Sequence, residues 1–419
     1  METGDLEKTH KTPGNAVDLF PSPSEPGVPA DTFSVLQMVD SLIDTAVNRD
    51  ASDIHLEPRE KGLRVRLRID GVLRDLAFYS PEVMQLIVSR LKILAGMDIA
   101  ERRLPQDGNI QVQAGEKSIN IRLSTLPTIY GEKLVLRLLS SDKIIMPLEQ
   151  LGFSEKNYKR YREFLTNAHG MILAVGPTGC GKTTTLYSTL HAINSPDKNI
   201  ITVEDPVEYR LDGINQVQVN TKINFTFART LRTILRQDPN IIMVGEIRDG
   251  ETAEIATRAA LTGHLLFSTL HTNDAPRAIT RLLDMGVERY MLTSSLVGVL
   301  AQRLIRLNCR DCLETYFPGE RELAFYEEKS GDKNIPSFKR GRGCEKCDFT
   351  GFKGRTAIHE VMSLDSEMRK LIMQFEDAEK IRNYAVSQGM QPMLQDGLNR
   401  AAEGLTTLKE VIRVAYTIF

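Results

Sequence analysis

Residues 171–183, Met-Ile-Leu-Ala-Val-Gly-Pro-Thr-Gly-Cys-Gly-Lys-Thr, decide the fold of this chain. The first five are apolar, as in a strand of a parallel sheet that is covered on both faces. The next eight follow the pattern G-x-x-x-x-G-K-[ST], in which glycines let backbone N–H groups surround phosphate oxygens at the start of a helix. The segment therefore predicts a nucleoside triphosphate site, with Lys182 on the β- and γ-phosphates and the Thr183 hydroxyl on Mg²⁺.

The whole phosphate loop (residues 176–183) and the residue after it are predicted to bind the nucleotide. Cys180 within the loop is interpreted as a small packing residue, with a redox role as the alternative. The predicted binding residues are Gly176, Pro177, Thr178, Gly179, Cys180, Gly181, Lys182, Thr183 and Thr184.

Three further short apolar runs, at 200–203, 241–244 and 265–268, resemble the strand before the loop and indicate an α/β domain. The run at 241–244 leads into Gly245 and Glu246, where a Walker B element places its carboxylates, although Gly245 replaces the usual aspartate. Glu246 is predicted to act on the attacking water or the metal; a purely structural glutamate is the alternative. No Asn-Lys-x-Asp motif for guanine lies downstream, which favours ATP.

Toward the N-terminus the pattern changes to that of a mixed α+β domain. Leu63, Val65, Leu67 and Ile69 alternate with Arg64, Arg66 and Arg68, as in a half-buried strand, and residues 81–94 read as a helix. We interpret the three arginines as a solvated strand face or a subunit contact. The predicted organisation is a Pro-rich tail at 1–30, an N-terminal α+β domain at 31–145, a nucleotide-binding core at 146–304, a Cys-rich and loop-like subdomain at 305–357 and a helical part at 358–419.

Four of the five cysteines form two Cys-x-x-Cys pairs, Cys309 with Cys312 and Cys344 with Cys347. Four thiolates in this pairing suit a closed, tetrahedral, structural Zn²⁺ site. The 31 residues between the pairs exceed the spacing of a compact zinc ribbon, but a longer loop adds little closure entropy. Unligated free cysteines are the alternative.

Composition limits the remaining possibilities. The chain has 419 residues, with 53 Lys and Arg against 55 Asp and Glu, so its net charge of -2 provides no global basic field for nucleic acid. No run approaches 18 apolar residues and the N-terminus has no apolar signal core. These features predict a soluble, intracellular protein.

Four stretches together resemble the GspE/PilB family of type II secretion and type IV pilus assembly ATPases. The phosphate loop is the first. Residues 202–209, Thr-Val-Glu-Asp-Pro-Val-Glu-Tyr, resemble the family's Asp box, and residues 244–249, Val-Gly-Glu-Ile-Arg-Asp, its Walker B segment. Residues 262–272, Thr-Gly-His-Leu-Leu-Phe-Ser-Thr-Leu-His-Thr, resemble its His box. The likeness extends from about residue 31 to the C-terminus.

The resemblance implies roles for particular residues. Glu208 and Glu246 are the expected catalytic carboxylates, and Glu204 and Asp205 are expected near Mg²⁺ or water, with ordinary strand-end solvation as the alternative. His271, and less directly His264, would sense the γ-phosphate rather than serve as core histidines. Arg122 and Arg137 are the expected arginine fingers; otherwise they line the solvent face of two strands. In the finger interpretation, closure of the N-terminal domain onto the ATPase domain would complete the site.

The resemblance also implies the wider function. It predicts a RecA-like P-loop ATPase domain, a PAS-like N-terminal domain and a zinc-binding subdomain, in a homohexamer at the cytoplasmic face of the inner membrane. ATP, Mg²⁺ and Zn²⁺ are the expected cofactors. The ring would drive an inner-membrane platform protein without binding nucleic acid directly, and the four cysteines favour assembly over retraction. The alternatives are a retraction motor, a DNA-uptake or type IV secretion ATPase, and a docking module without turnover. Family members usually carry a further N-terminal domain, and here only the Pro-rich tail precedes the core.

Overall fold

A computed structural model describes residues 34–114, 117–140, 145–331, 334–374 and 377–416. The chain divides into two compact units, Met1–Ser140 and Ser141–Phe419. The Pro-rich tail predicted at 1–30 lies outside the described residues. In the described part of the chain we find no helix with the length and hydropathy that a bilayer crossing needs.

From Ser34 onward, the described residues of the first unit form an antiparallel six-stranded sheet with two helices, in the sheet order β3-β2-β1-β6-β5-β4. Its hydrophobic core lies between the helices and one face of the sheet. This agrees with the predicted α+β class, while the PAS-like assignment stays a prediction. The elements are α1 (Val35–Asn48), β1 (Asp53–Arg59), β2 (Gly62–Ile69), β3 (Val72–Tyr79), α2 (Pro81–Leu94), β4 (Gln106–Ala114), β5 (Lys117–Thr128) and β6 (Gly131–Ser140).

Local sequence explains these elements. Helix α1 begins at the N-cap Ser34, whose side chain accepts a hydrogen bond from the Gln37 amide. On β2 the apolar residues are buried, at 0 to 7% exposure. The alternating arginines occupy the other face, where Arg64 pairs with Asp75 at 2.6 Å and Arg66 pairs with Glu57 at 2.6 Å. The alternation of apolar and charged residues therefore predicted correctly which face of β2 lies against the core.

The second unit is built on a seven-stranded sheet in the order β15-β12-β7-β11-β10-β8-β9. All neighbours are parallel except β12 and β15. Helices cover both faces of the central strands, so β7, β8, β10 and β11 are buried along their whole length. The elements are α3 (Glu155–Phe164), β7 (Gly170–Val175), α4 (Lys182–Ile193), β8 (Ile200–Glu204), β9 (Asn215–Gln218), α5 (Phe227–Ile234), β10 (Ile241–Val244), α6 (Gly250–Leu261), β11 (Leu265–Leu270), α7 (Ala275–Asp284), α8 (Arg289–Ser295), β12 (Leu296–Asn308), β13 (Leu313–Thr315), α9 (Glu320–Ser330), β14 (Lys339–Gly341), β15 (Phe352–Ser363), α10 (Ser366–Met373), α11 (Ala378–Ser387), α12 (Met393–Ala402) and α13 (Leu408–Val411).

The region predicted as loop-like, 305–357, is more regular than expected. It contains the end of β12, the start of β15, the small β13–β14 sheet and helix α9. Helix α9 escaped prediction because Tyr326 is its one fully buried residue, which leaves almost no apolar periodicity to detect. The segment 358–419, predicted as mostly helical, begins instead with the second half of β15.

Candidate nucleotide site and cysteine cluster

Parallel pairing brings the predicted motifs to one edge of the sheet. Strands β7, β8, β10 and β11 run in the same direction, and the phosphate loop leaves β7 at that edge. Glu204 ends β8, Glu246 follows β10 and His271 follows β11. Ligand sites of open α/β sheets lie beyond the carboxyl ends of their strands. The fold therefore gathers residues that are far apart in sequence around the phosphate loop.

Backbone geometry explains the glycines of the loop. Gly176, Gly179 and Gly181 have φ angles of +150°, +78° and +92°, which other residues rarely adopt. A Cβ atom on Gly176 would also lie 2.5 Å from the sulfur of Cys180. Helix α4 begins within the last two residues of the loop, at Lys182. The loop and the helix N-terminus thus form the phosphate cradle that the motif predicts.

Lys182 is 9% exposed, and its ammonium group donates to the carbonyls of Gly176 at 2.7 Å and Pro177 at 3.1 Å. Burial lowers its pKa from the ordinary lysine value. Thr183 is exposed in the first turn of α4, as a ligand of a nucleotide-bound Mg²⁺ requires. Cys180 is 3% exposed, and burial raises the pKa of its thiol, so its environment fits the packing interpretation.

Glu246 is held by two partners at the edge of the sheet. Arg248 Nη2 donates to Glu246 Oε1 at 2.5 Å and its Nη1 donates to Asp205 at 3.4 Å, while His271 Nε2 lies 3.4 Å from Glu246 Oε2. Burial alone would raise the pKa of Glu246, but the hydrogen bond and charge of Arg248, with His271, outweigh it and lower the pKa below the ordinary value. Glu246 is therefore an ionised, oriented carboxylate that can accept a proton or hydrogen bond.

Sequence reasoning missed Arg248, although it lies only two residues after Glu246 in the same motif. The motif singles out the carboxylate because carboxylates carry the chemistry, and nothing in the spacing shows which side chain will orient it. The structure supplies that role through the contacts of Arg248 with both Glu246 and Asp205.

The other carboxylates of the Asp box differ in their surroundings. Glu204 is 4% exposed and accepts hydrogen bonds from Tyr187, from Thr202 at 2.6 Å and from Gln216 at 3.1 Å. Its carboxylate is thus occupied by internal donors, which weakens the predicted role in nucleotide or metal binding. The Glu208 amide donates to the Tyr187 hydroxyl at 3.3 Å, which fixes the backbone of Glu208 in the loop after β8.

The two histidines of the His box lie at opposite ends of β11. His271 follows the strand and reaches Glu246, whereas His264 precedes it and contacts the Ala259 carbonyl at the end of α6, 3.0 Å away. Leu265 pairs with Gly170, at the start of β7, so His264 lies seven residues, or about 23 Å along the strand, from the start of the loop. The geometry of this chain therefore does not support nucleotide binding by His264.

In the first unit, strand pairing places the two predicted arginine fingers side by side. Arg122 on β5 is the direct partner of Arg137 on β6, which in turn lies opposite Asp53 on β1. Arg137 Nε donates to Asp53 Oδ1 at 3.1 Å, and Arg68 approaches the same carboxylate at 3.5 Å. The Arg137 side chain is 57% exposed. One buried carboxylate thus orients the guanidinium groups of Arg137 and Arg68 on this face of the sheet.

The cysteine cluster (Cys309, Cys312, Cys344 and Cys347) brings its four sulfur atoms within 4.8 Å of one another. Three of the separations are 3.9, 3.9 and 3.8 Å. A tetrahedral site with Zn–S bonds of about 2.3 Å has S···S distances of about 3.8 Å. The arrangement therefore fits a four-coordinate Zn²⁺ with no open position.

Backbone amides donate hydrogen bonds to two of the four sulfur atoms in the cysteine cluster. The Gly343, Cys344 and Gly351 amides donate to the sulfurs of Cys312 and Cys347 at 3.2 to 3.4 Å. Burial would raise the pKa of Cys347, but the amides of Cys344 and Gly351, with hydrogen bonds from the Cys344 and Cys312 side chains, lower it to about 7. Burial raises the pKa of Cys309 and of Cys312. The donor set and its hydrogen bonds match those of a structural zinc site.

Comparison with known proteins places this geometry in a family. The family model described as "Type II/IV secretion system protein" matches residues 29–413. The type II secretion system protein E of Pseudomonas aeruginosa is 48% identical over 384 residues, which cover 92% of this chain and 76% of that protein. The type IV pilus assembly ATPase PilB of Thermus thermophilus is 47% identical over 397 residues, which cover 95% of this chain but only 44% of that protein.

A solved structure adds the fold. The crystal structure of the pilus retraction motor PilT with bound ADP matches with a TM-score of 0.60 and 28% identity, covering 89% of this chain and 96% of that one. Together with the family model and the relatives, it confirms the predicted resemblance, the P-loop ATPase fold and ATP as the nucleotide. This chain belongs to the type II/IV secretion system protein family and, within it, to the GspE/PilB group of ATPases.

Proposed function

We propose that this chain is a Mg²⁺-dependent ATPase that works as a homohexameric motor and powers assembly of a type II secretion pseudopilus or a type IV pilus. The observation that carries the proposal is the placement of Glu246, oriented by Arg248, at the same sheet edge as the phosphate loop with Lys182. The names of the relatives supply the system: protein E of type II secretion and the pilus assembly ATPase PilB.

The chemistry follows from the roles of the side chains. Lys182 and the loop amides would neutralise the β- and γ-phosphates, and Thr183 would hold a Mg²⁺ that supplies further positive charge. Glu246, or Glu208 after β8, orients the water that attacks the γ-phosphorus. The water oxygen forms a bond to that phosphorus while the bond from phosphorus to the bridging oxygen breaks and ADP leaves. The carboxylate accepts a hydrogen bond from the water during the attack, and the water proton ends on the inorganic phosphate.

The reaction also requires positively charged side chains close to the oxygens of the transferred phosphoryl group. We assign it to Arg122 and Arg137, whose adjacency across β5 and β6 supports a joint role, and we assign γ-phosphate sensing to His271 through its contact with Glu246. Domain movement coupled to these contacts would convert hydrolysis into mechanical work.

The cysteine cluster takes a structural role in this proposal. Four thiolates leave no position for substrate or water, so Zn²⁺ there would shape the segment between β12 and β15. We propose that this segment contacts an inner-membrane partner, such as the platform protein of the secretion or pilus system, at the cytoplasmic face of the membrane.

The relatives do not favour the alternative functions. The secretion and assembly proteins are 48% and 47% identical to this chain, whereas the retraction motor is 28% identical. A docking module without turnover would not need an ionised, oriented Glu246. The net charge of -2 gives no support to a DNA-handling ATPase.

Two measurements on the purified chain test the proposal. Mg²⁺-dependent release of phosphate from ATP is expected, and mass photometry with ATP should show a particle of six times 47.0 kDa. Binding of ATP without hydrolysis would support a docking module instead. A monomer in all nucleotide states would contradict the ring.

The arginine assignment has its own test. Arg122→Ala and Arg137→Ala should each lower kcat by about 1000-fold, the usual effect of losing an arginine finger. Arg64→Ala is the matched control, because Arg64 lies on the same sheet and pairs with Asp75. Equal, small effects of all three substitutions would return Arg122 and Arg137 to the solvated strand face.

A further inference from the structure

Gln302 is a buried polar residue that neither the motifs nor the proposed chemistry use. It lies on β12, whose last pair with β7 joins Ala301 and Val175. Gln302 therefore follows the ladder by one residue, beside the first glycine of the phosphate loop. Its side chain is 1% exposed. A buried amide requires partners, and the identity of those partners indicates what it does.

Both ends of the Gln302 amide are engaged, each with a different part of the loop and helix. Its Nε2 donates to the Cys180 carbonyl at 2.7 Å, and its Oε1 accepts from the Thr185 hydroxyl at 2.9 Å. Thr185 lies in the first turn of α4 and is 2% exposed. A side-chain amide can donate and accept at once, which a carboxylate or a thioether of the same length cannot do. Gln302 thus joins the loop to the helix that follows it.

Peptide geometry extends the effect of this contact to Gly181. The Cys180 carbonyl and the Gly181 amide belong to one planar trans peptide, in which C=O and N–H point in opposite directions. Because the carbonyl is turned toward Gln302, the Gly181 N–H is turned away from β12. The fit is close: a Cβ on Gly181 would lie 3.1 Å from Gln302 Nε2, and one on Gly176 would lie 2.6 Å from the Gln302 carbonyl oxygen.

We propose that Gln302 is a positioning residue of the phosphate loop, which holds the Cys180–Gly181 peptide so that the Gly181 amide faces the phosphates of a nucleoside di- or triphosphate. The inference rests on the proposed function. Gln302 itself touches no phosphate; it acts through the orientation of one backbone donor. Such a donor binds the ground state and the transition state alike, so its loss raises KM and leaves kcat in place.

The test is Gln302→Met, which keeps the length of the side chain and removes both hydrogen bonds. The Cys180 carbonyl and the Thr185 hydroxyl then lose their partner, and the Kd of ATP and of ADP should rise about tenfold. The kcat at saturating ATP should stay within about threefold of wild type. Affinities are measured by isothermal titration calorimetry, and kcat by phosphate release.

Asn157→Leu is the matched control, because Asn157 is another buried amide of the same unit, 1% exposed, whose Nδ2 donates to the His359 carbonyl at 3.1 Å. It should lower thermal stability without changing either Kd. A rise in Kd that Asn157→Leu reproduces would show a general packing effect and overturn the proposal.

Gln302→Glu and Thr185→Val give independent readings. The glutamate can accept a hydrogen bond from the Thr185 hydroxyl, but it places a second acceptor against the Cys180 carbonyl. Gln302→Glu should therefore raise the Kd of ATP and of ADP more than Gln302→Met does. Thr185→Val should raise the Kd of both nucleotides by about threefold, because the hydrogen bond from Gln302 to the Cys180 carbonyl remains.

If Gln302→Met does not fold, Thr185→Val decides: an unchanged Kd overturns the proposal. Failure of the wild-type chain to hydrolyse ATP would contradict the proposed function, whereas normal wild-type turnover with an unchanged Kd in Gln302→Met contradicts only this inference.

Discussion

The phosphate loop lies beside Gln302 in the middle of β12, and the cysteine cluster begins at Cys309, directly after the same strand. The two regions differ in how far their side chains are exposed to solvent. Around the loop, the Glu246 and His271 side chains stay partly open to solvent, at 19% and 51% exposure. In the cluster, Cys309, Cys312 and Cys347 are 0 to 6% exposed and backbone amides surround their sulfurs. The loop is an open site and the cluster a closed one.

The difference distinguishes residues that take part in the reaction from residues that stabilise the fold. An open site leaves donors and carboxylates able to exchange ligands, and its residues come from four strands that only the sheet brings together. A closed site takes its ligands from two short turns, with every thiol facing the other three. Substitutions in the loop should therefore change turnover, and substitutions in the cluster should change stability.

Lys182→Ala should have the largest effect on the open site. Removal of the ammonium group leaves the developing charge of the transferred phosphate without its nearest cation, so kcat/KM should fall by at least about 100-fold. Phosphate release and ATP titration measure the loss. Lys198→Ala, an exposed lysine in the turn before β8, should leave both unchanged. Near-normal turnover of Lys182→Ala would remove the loop from the active site.

The double substitution Cys344→Ser and Cys347→Ser should next show that the cysteine cluster affects stability but not ATP binding. We expect about one zinc per wild-type chain and none in the double variant, with a lower Tm, because metal binding contributes directly to folding free energy. ATP affinity should change by no more than about twofold, since distant sites act independently. Elemental analysis, calorimetry and ATP titration give the three values, and Cys180→Ser is the control that keeps its zinc. A folded, metal-free wild type would contradict the ligand assignment.

His271→Ala against His264→Ala tests which end of β11 belongs to the open site. His271 contacts Glu246, so its loss should lower kcat by about tenfold to 100-fold with little change in ATP affinity. In the described part of the chain the His264 ring contacts Thr262 and the Ala259 carbonyl at the end of α6, so its loss should leave kcat near wild type. Equal losses in the two variants would refute the separation of the histidines.

A further expected effect concerns acid stability rather than turnover, and it involves β12, which passes the phosphate loop and ends at the cysteine cluster. Arg306 on β12 and Arg413 both donate to Glu410, which is 1% exposed. Burial alone would raise the pKa of Glu410, but these hydrogen bonds lower it to about 2. A lowered carboxyl pKa stabilises the fold above the ordinary value of 4.5, and this contribution is lost as the pH falls from there toward 2.

Glu410→Gln should therefore lower the unfolding free energy at pH 7 and flatten its decline between pH 5 and 3, by at most about 3 kcal/mol. Urea denaturation at several pH values measures this. Glu403→Gln, with a 55% exposed side chain, should leave the pH dependence unchanged. An unaltered slope in Glu410→Gln would show that the carboxylate titrates normally.

Sequence predicted the parts of the molecule that depend on local patterns. The apolar run before the loop, the alternation on β2 and the two Cys-x-x-Cys pairs each carry their physical reason within a few residues. The strand order was not available in this way, and β12 was missed because Gly298 and Gln302 interrupt its apolar run. Pairing of β12 with β7 depends on residues more than 100 positions apart.

The site was predictable to a similar limit. Motifs identified Glu246 and His271, but the orienting partner Arg248 and the internal role of Glu204 follow from three-dimensional contacts. His264 shows the reverse case: its motif is intact, yet the strand direction carries it away from the loop. Sequence motifs identify candidate residues, and only the paired strands of the sheet show which of their side chains come into contact.

The most direct test of the central claim is ATP hydrolysis by Glu246→Gln, with Glu254→Gln as the control because Glu254 is an exposed glutamate of α6 paired with Arg258. If Glu246 acts on the attacking water, the variant should bind ATP within about threefold of wild type while kcat falls at least about 100-fold. A Glu246→Gln variant that turns over ATP at the rate of Glu254→Gln would contradict the account.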